Sequence, residues 1–343
     1  MTTFPDRTEA PGSACVVLDT NVWRAQPLLR TSHGAALIFA LQQRGTLLGL
    51  PEVVERELPE VLVRAARKVL DRTSLLGQII GQQVDLPDEP KIRQAVRTRL
   101  SELEPLLIRV PFTFDHAQSA LTRVIGGTPP NREGKEEFKD SLILEAVLEL
   151  AADRPTDFIT DDSGFYDSED LHPQLDTELR ARSLQVGLHR SLDSYLSSLG
   201  GATLSEDDRE ALISSLAKSV HGSTQDAMTP YGLVVEELIG GDVRVFATEV
   251  PGRAAVSYTL TFSARGQAPA ETIKTVVRSR GEATGNFASR TLGDIRPEEV
   301  KFVTPEGGER GTVFGSTLEA AVSLVRHPIP LAPSADDSRT GAG

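Results

Sequence analysis

The sequence predicts an α/β part with an open, mostly parallel sheet, followed by an all-β part. Apolar segments of strand length alternate with helical patterns over residues 14–200, which is typical of a parallel sheet flanked by helices. Residues 256–263 then alternate strictly between apolar and polar side chains, as in an antiparallel strand that buries one face. The chain of 343 residues is long enough for two domains of ~150 residues each.

The α/β part begins with two buried strands. Residues 14–20 (ACVVLDT) are apolar up to a polar pair, and residues 46–51 (TLLGLP) form a second apolar segment. Between them, a helical pattern runs from Ala35 to Gln43. After the second strand, apolar residues recur at helical spacing from Val54 to Val69.

A large helical insertion is predicted over residues 59–134. Pro59 cannot donate a helical hydrogen bond, so we expect a kink near Glu57 or a new helix that starts at Pro59. Residues 88–107 have the pattern of a charged amphipathic helix. The glycines and prolines of 126–134 (GGTPPNREG) indicate a loop.

The α/β part closes with a helix and two strands. Residues 136–151 (EEFKDSLILEAVLELA) have a helical pattern with Asp140 on the buried side. Residues 157–160 (DFIT) predict a strand that ends in a turn at 161–165 (DDSGF), and 184–189 (LQVGLH) predict one more strand.

The all-β part follows a polar helix at 205–220 and a linker at 221–230. Its strands are separated by predicted turns at GG, ARGQAP and SRGEATG, and a helix is expected near 316–326. We interpret the strands as a small sandwich or barrel; they are expected at 231–239, 242–250, 256–263, 272–279 and 298–304. The predicted divisions of the chain are a domain at 14–200, a helix and linker at 201–230, a β-rich domain at 231–327 and a flexible tail at 328–343.

Composition excludes several classes of protein. The 49 acidic and 36 basic residues give a net charge of −13, which argues against a protein that coats nucleic acid by neutralising phosphates. The single cysteine, Cys15, excludes a disulfide framework and a multi-thiolate metal site within one chain, and it suits a reducing compartment. The longest uncharged stretch, Thr31–Gln43, is too short to span a bilayer. We therefore expect a cytoplasmic protein.

Acidic residues lie at the ends of several predicted elements. Asp19 ends the first strand, Glu57 lies on the helix after the second strand, Asp140 lies in the first turn of a later helix, and Asp162 follows the strand at 157–160. Ligands of an open parallel sheet bind beyond the carboxyl ends of its strands. If the two strands are neighbours, Asp19 and Asp162 meet at that crevice, and the helices could deliver the other two carboxylates.

A cluster of this kind suits a divalent cation. Mg²⁺ and Mn²⁺ prefer oxygen ligands, whereas crowded carboxylates without a cation raise one another's pKa. One ion can activate a water molecule for phosphodiester cleavage, and a second, about 3.5–4 Å away, can stabilise the leaving oxygen. Each residue alone also fits an ordinary role, as a turn, a helix cap, a dipole partner or a solvated side chain. The combination and the order of the four residues favour the shared site.

The acidic residues lie in four short segments: LDTNV (18–22), LPEVVEREL (50–58), FKDSLIL (138–144) and ITDDSGF (159–165). Together these segments resemble the PIN-domain nuclease family over about residues 14–190. In the last motif, usually T-N-D-x-D-F, Asp162 aligns with the first Asp, Asp161 replaces the Asn and Gly164 replaces the second Asp. A ligand of a second metal ion is therefore lost or shifted to Asp161.

The resemblance implies a ribonuclease dependent on Mg²⁺ or Mn²⁺ that cleaves single-stranded or structured RNA with water as the nucleophile. It implies that Asp19, Glu57, Asp140 and Asp162 are catalytic and hold the metal, with Asp161 as a further ligand. The family includes toxins of bacterial toxin–antitoxin pairs, so an antitoxin or another protein is a further partner, and the sequence leaves a homodimer open. The all-β part matches no family and would select substrate or partner.

Two alternatives remain open from the sequence. One is a PIN-fold scaffold that has lost hydrolysis and binds RNA or protein. Gly164, which replaces the second Asp of the motif, is the reason to consider it. The other is a structure-specific DNA nuclease. Other catalytic classes lack their motifs: Asn21 stands where a haloacid-dehalogenase-type phosphatase needs its second Asp, and neither a G-x-S-x-G elbow nor a phosphate-binding G-x-x-x-x-G-K is present.

Basic residues that could meet RNA fall into two groups. Arg132 and Lys139 lie near the predicted loop and the Asp140 turn, where they could neutralise a phosphate. The remaining ones form helical stripes that fit an ion-paired surface at least as well, namely Arg64, Arg67, Lys68 and Arg72, and Arg93 with Arg97.

Overall fold

The computed structural model describes residues 13–80, 88–132, 134–168, 170–202, 204–266, 274–287, 289, 291–304, 308–313 and 329–330. These residues form two compact units. Unit 1 takes its residues from Met1–Leu28 and Ala40–Ser198, and unit 2 takes its residues from Leu29–Phe39 and Leu199–Gly343. Within the described ranges, every helix is too short or too polar to cross a membrane.

Unit 1 is built on a five-stranded parallel sheet flanked by helices, which confirms the predicted α/β class. The strands of unit 1 are β1 (Cys15–Leu18), β2 (Leu47–Pro51), β3 (Leu107–Val110), β4 (Thr156–Ile159), β5 (Tyr166–Asp167), β6 (Asp170–Leu171) and β7 (Val186–His189). The order in the sheet is β3-β2-β1-β4-β7, and β5 and β6 form a separate antiparallel pair.

Helices connect these strands, as parallel pairing requires. The helices that precede unit 2's long helix are α1 (Thr20–Ala25), α2 (Ser32–Arg44), α3 (Glu52–Ile80), α4 (Glu89–Leu103), α5 (Phe114–Gly126), α6 (Phe138–Asp153), α7 (Pro173–Ala181) and α8 (Leu192–Ser198). Local capping residues fix the two ends of α5. The Thr113 side chain accepts a hydrogen bond from the His116 amide at 3.1 Å at the start, and Gly127 ends the helix with a φ of 59°.

The central strand β1 forms the core of unit 1. All four of its residues are fully buried, and Trp23 on the following helix is buried as well. Burial raises the pKa of the Cys15 thiol to about 12. The continuous apolar pattern of this strand in the sequence therefore reflects burial on both faces of the sheet.

The structure contradicts the purely helical prediction for the insertion at 59–134 and one of the two alternatives at Pro59. The segment contains β3, an edge strand that pairs with β2, because residues 107–110 (LIRV) leave α4 through a short 3₁₀ turn and extend along the sheet. The helix α3 continues through Pro59, so no new helix starts there. Val54 and Leu58 before this proline and Val61 after it are all buried, and that packing outweighs the lost hydrogen bond.

Unit 2 consists of one antiparallel sheet packed on a long helix, α9 (Glu206–Met228). The described strands lie in the order β12-β11-β10-β9-β8, with β13 paired to β11. They confirm the all-β class but form a single open sheet and not a sandwich or a barrel. The strands are β8 (Leu233–Ala247), β9 (Arg253–Gly266), β10 (Lys274–Asn286), β11 (Thr291–Val303), β12 (Glu309–Val313) and β13 (Ile329–Pro330).

The predicted linker at 221–230 is wrong, since α9 continues to Met228. Val220, Thr224, Ala227 and Met228 recur at helical spacing and are buried, so this end of the helix packs as the rest does.

The predicted turns at GG and SRGEATG are also wrong, because both lie inside long strands. Gly241 allows close approach of α9, since a Cβ there would lie 2.8 Å from the Cγ2 of Ile213. Gly281 lies where a Cβ would be 2.1 Å from the carbonyl oxygen of Arg296 on the neighbouring strand. Glycines inside strands often mark such close approaches and bulges. The predicted helix near 316–326 and the tail at 328–343 lie outside the described residues, apart from the two residues of β13.

Candidate functional site

Adjacent strands bring the first and last acidic segments together. In the pairing of β1 with β4, Leu18 lies opposite Ile159. The next residue, Asp19, donates its amide to the carbonyl oxygen of Ile159 at 3.0 Å and accepts at Oδ2 from the hydroxyl of Thr160 at 2.8 Å. The same hydroxyl accepts from the amide of Asp162 at 3.2 Å. Thr160 thus joins the two segments at the carboxyl edge of the sheet.

The carboxylate of Asp162 is fixed by the turn that follows β4. Its Oδ1 accepts from the amide of Gly164 at 2.6 Å. A Cβ at position 164 would lie 2.2 Å from the carbonyl oxygen of Pro130. This close approach explains why a glycine stands where the family resemblance predicts a second Asp.

A buried asparagine organises the loop between α5 and α6, which we call the Asn131 loop (residues 127–137). The side-chain amide of Asn131 donates to the Ser141 hydroxyl at 2.9 Å and to the carbonyl oxygen of Thr128 at 3.1 Å. Its Oδ1 accepts from the amide of Glu137 at 2.7 Å. The side chain of Asn131 therefore sets where α6 begins and where Glu137 lies.

Three carboxylates come together at this point. Oxygen atoms of Glu137, Asp140 and Asp162 all lie within 4.8 Å of one another. We call these three side chains the carboxylate cluster. The sequence predicts two of its members and misses Glu137. The only signal for Glu137 is its place three residues before Asp140, and Glu136 is equally acidic and adjacent.

Burial and mutual repulsion raise the pKa values of Asp19 and Asp140. Burial, together with the charges of Asp19 and Asp162, raises the pKa of Asp140 to about 8. Burial also raises the pKa of Asp19 to about 6, against the hydrogen bond from Thr160, and the charges of Asp161 and Asp162 add to it. These carboxylates are costly to keep together as anions without a cation.

Glu57 lies beside the carboxylate cluster and is not one of its three members. Its Oε2 accepts from the hydroxyl of Thr20 at 3.1 Å, and its Oε1 pairs with the ammonium of Lys139. Thr20 and Lys139 are the chain neighbours of Asp19 and Asp140. Asp161 is exposed and contributes its charge to the pKa of Asp19 without joining the cluster.

Cations border the site. The ammonium of Lys135 pairs with Glu137 and lies 3.6 Å from Oδ2 of Asp162. The Glu137 pKa is lowered, chiefly by the hydrogen bond from Lys135. Arg132 donates to the Ser163 hydroxyl at 2.8 Å. Two residues of the basic stripes form ion pairs: Arg67 pairs with Glu89, and Arg93 pairs with Glu60.

A buried ion-pair network supports the Asn131 loop from behind. Arg123 on α5 pairs with Glu145 on α6 and donates to both carboxylate oxygens of Glu178 on α7, at 2.8 and 2.6 Å. A further donation reaches the carbonyl oxygen of Pro129 in the loop at 3.4 Å. One guanidinium thus connects three helices to the loop that carries Glu137.

The comparisons agree with this arrangement. A family model described as a PIN domain matches residues 16–165, which include Asp19, Glu57, Asp140 and Asp162. Comparisons with curated proteins and with solved structures gave no significant match. PIN domains are typically nucleases that use divalent metal ions. Residues 16–165, with their parallel sheet and acidic carboxyl edge, therefore match the PIN-domain family.

Proposed function

We propose that this protein is a divalent-metal-dependent endoribonuclease that hydrolyses phosphodiester bonds with water as the nucleophile. The observation that carries the proposal is the carboxylate cluster at the carboxyl edge of the sheet, with Asp19 next to it. The family match supports a nuclease in general. The choice of RNA as substrate rests on the resemblance of the four motifs to the PIN family.

The residues present fit Mg²⁺ or Mn²⁺. The cluster offers carboxylate oxygens only, which are the ligands that hard divalent cations prefer. Burial and the neighbouring carboxylates raise the pKa values of Asp19 and Asp140, and a divalent cation would favour their anionic forms. Glu137, Asp140 and Asp162 would hold the ion, with Asp19 and Glu57 on its border. A divalent ion bound there supplies an activated water molecule and stabilises negative charge on the phosphate.

The other side chains of the site orient these ligands and meet the substrate. Thr160 fixes one oxygen of Asp19, and the amide of Gly164 fixes one oxygen of Asp162. Such supporting hydrogen bonds keep carboxylates in place for metal binding. Arg132 and Lys139 are exposed at the rim, where their charges would attract the backbone of an RNA strand.

A cleavage assay with matched variants tests the proposal. The full chain is incubated with Mn²⁺ or Mg²⁺ and a labelled single-stranded RNA, and a DNA flap of the same sequence is assayed in parallel. Asp140→Asn and Asp162→Asn are expected to abolish RNA cleavage, and EDTA should do the same. Asp153→Asn is the control, because Asp153 lies exposed at the far end of the same helix.

The outcomes distinguish the alternatives. Cleavage of the flap alone would support a DNA nuclease and contradict the ribonuclease proposal. RNA binding without cleavage, unchanged by EDTA, would support the scaffold. An antitoxin or other protein partner, a homodimer, a cytoplasmic location and a substrate-selecting role for unit 2 remain predictions from the sequence.

A further inference from the structure

A lysine side chain occupies the carboxylate cluster from the loop side. The ammonium of Lys135 pairs with Glu137 and lies 3.6 Å from Oδ2 of Asp162, so it contacts two of the three members of the cluster. Divalent cations and ammonium groups compete for the same carboxylate oxygens. The lysine therefore stands where its charge opposes the entry of a metal ion.

The backbone holds this lysine in place. Arg132 and Lys135 form an isolated antiparallel bridge, with amide-to-carbonyl distances of 3.2 Å and 2.9 Å. Gly134 within the turn has a φ of 75°, a conformation that favours glycine. Asn131, directly before the bridge, is anchored by its bonds to Thr128 and Ser141. The position of Lys135 is thus a property of the folded loop.

The same turn provides an internal comparison. Arg132 is the other basic partner of the bridge, and it donates to the hydroxyl of Ser163, a neutral group. The two residues carry the same charge on the same turn, yet of the pair it is Lys135 that forms ion pairs with the carboxylate cluster. Comparison of Lys135 with Arg132 therefore separates the effect of a direct ion pair with the cluster from the effect of a cation that is only nearby.

We propose that Lys135 is a built-in counter-ion that competes with the divalent metal ion for Asp162 and Glu137. This inference rests on the proposed function, since it concerns the same metal site. Without metal, the ammonium offsets the repulsion within the cluster. When a metal ion enters, the ammonium leaves these carboxylates. Because the Lys135 side chain is 44% exposed, it can then turn to the rim, where the phosphates of a substrate would lie.

Isothermal titration calorimetry of the 343-residue chain with Mn²⁺ alone tests the inference. Lys135→Met should bind Mn²⁺ roughly three- to fivefold more tightly than the wild type, the upper part of the range expected for loss of a partly exposed ion pair. Lys135→Arg keeps the charge and should stay within about twofold of the wild type. Arg132→Met is the matched control and should also change the affinity by about twofold or less.

Stability in EDTA gives a second readout. Lys135→Met should lower the melting temperature of the metal-free protein, and Mn²⁺ should raise it more than it does for the wild type. Equal Mn²⁺ affinities of the wild type and Lys135→Met, or equal gains in Lys135→Met and Arg132→Met, would overturn the inference and leave the proposed function standing. If neither the wild type nor any variant binds Mn²⁺, the proposed function fails and the inference fails with it.

Discussion

The carbonyl oxygen of Pro130 lies 2.2 Å from the position that a Cβ atom on Gly164 would occupy. Position 164 therefore has no room for the second Asp of the family motif. Pro130 belongs to the Asn131 loop, which also carries Glu137 into the carboxylate cluster. The loop that excludes a carboxylate at one position thus delivers another a short distance away.

Gly164→Ala is expected to destabilise the protein by about 1–3 kcal/mol, because the added methyl group must displace the backbone at Pro130. Urea denaturation measures this change. Gly126→Ala is the control, since its Cβ would meet its nearest neighbour, a Thr128 methyl carbon, at an ordinary 3.7 Å. A Gly164→Ala variant as stable as the wild type would contradict the close approach.

The stability of the metal-free protein should fall as pH rises. Burial and neighbouring charges raise the pKa of Asp19 to about 6 and that of Asp140 to about 8, from an ordinary value of 3.8. The folded protein therefore holds protons that the unfolded chain has released. The contribution of these two groups to the free energy of unfolding should decline from about pH 4 to about pH 9, roughly one unit above the folded pKa of Asp140.

Urea denaturation in EDTA at several pH values measures this decline. Asp140→Asn should flatten its upper part, because the amide stays neutral, and Mn²⁺ should offset it in the wild type by replacing the protons. Identical pH profiles for the wild type and Asp140→Asn would argue against crowding of charge at the site.

Arg123→Met should destabilise unit 1 by about 3–5 kcal/mol, because it leaves the buried carboxylate of Glu145 without its cation. Arg109→Met is the control: Arg109 also pairs with two glutamates, Glu55 and Glu104, but in a more exposed position, so the expected loss is below about 1 kcal/mol. Thermal unfolding of both variants measures the two losses of stability. Losses of equal size would contradict the larger contribution of the buried ion-pair network.

Unit 2 contains a histidine that is completely buried. The Nε2 atom of His33 lies 2.7 Å from the hydroxyl of Ser257, and its Nδ1 lies 3.3 Å from a carboxylate oxygen of Glu282. His33→Ala should cost about 3 kcal/mol, through the cavity and the lost polar contacts. Hydrogen exchange of the β9 and β10 amides should become faster, whereas His221→Ala, at a partly exposed position, should leave it nearly unchanged.

Much of the site can be predicted because strand ends are visible in the sequence. Asp19 and Asp162 follow apolar runs directly, and neighbouring parallel strands must bring such positions to one edge. The position of Glu137 cannot be predicted in this way, since it depends on the hydrogen bond that the Glu137 amide donates to the side chain of Asn131. A choice between Glu136 and Glu137 requires the geometry of the loop.

The errors in the fold have a common physical cause. Glycines at 241 and 281 suggest turns by composition, yet they serve the close approach of a helix and of a neighbouring strand. The strand β3 is short and half-exposed, so its pattern merges with that of the preceding helix. In each case the conformation depends on tertiary packing, and a local sequence pattern carries no information about that packing.

The buried thiol on β1 has a practical consequence. Because Cys15 is the only cysteine and is fully enclosed, an alkylating reagent can reach it only when the middle of the parallel sheet opens. The rate at which the native protein is alkylated therefore reports how often that opening occurs. Alkylation of this native cysteine therefore measures local opening of the sheet at one position, and no cysteine has to be introduced for it.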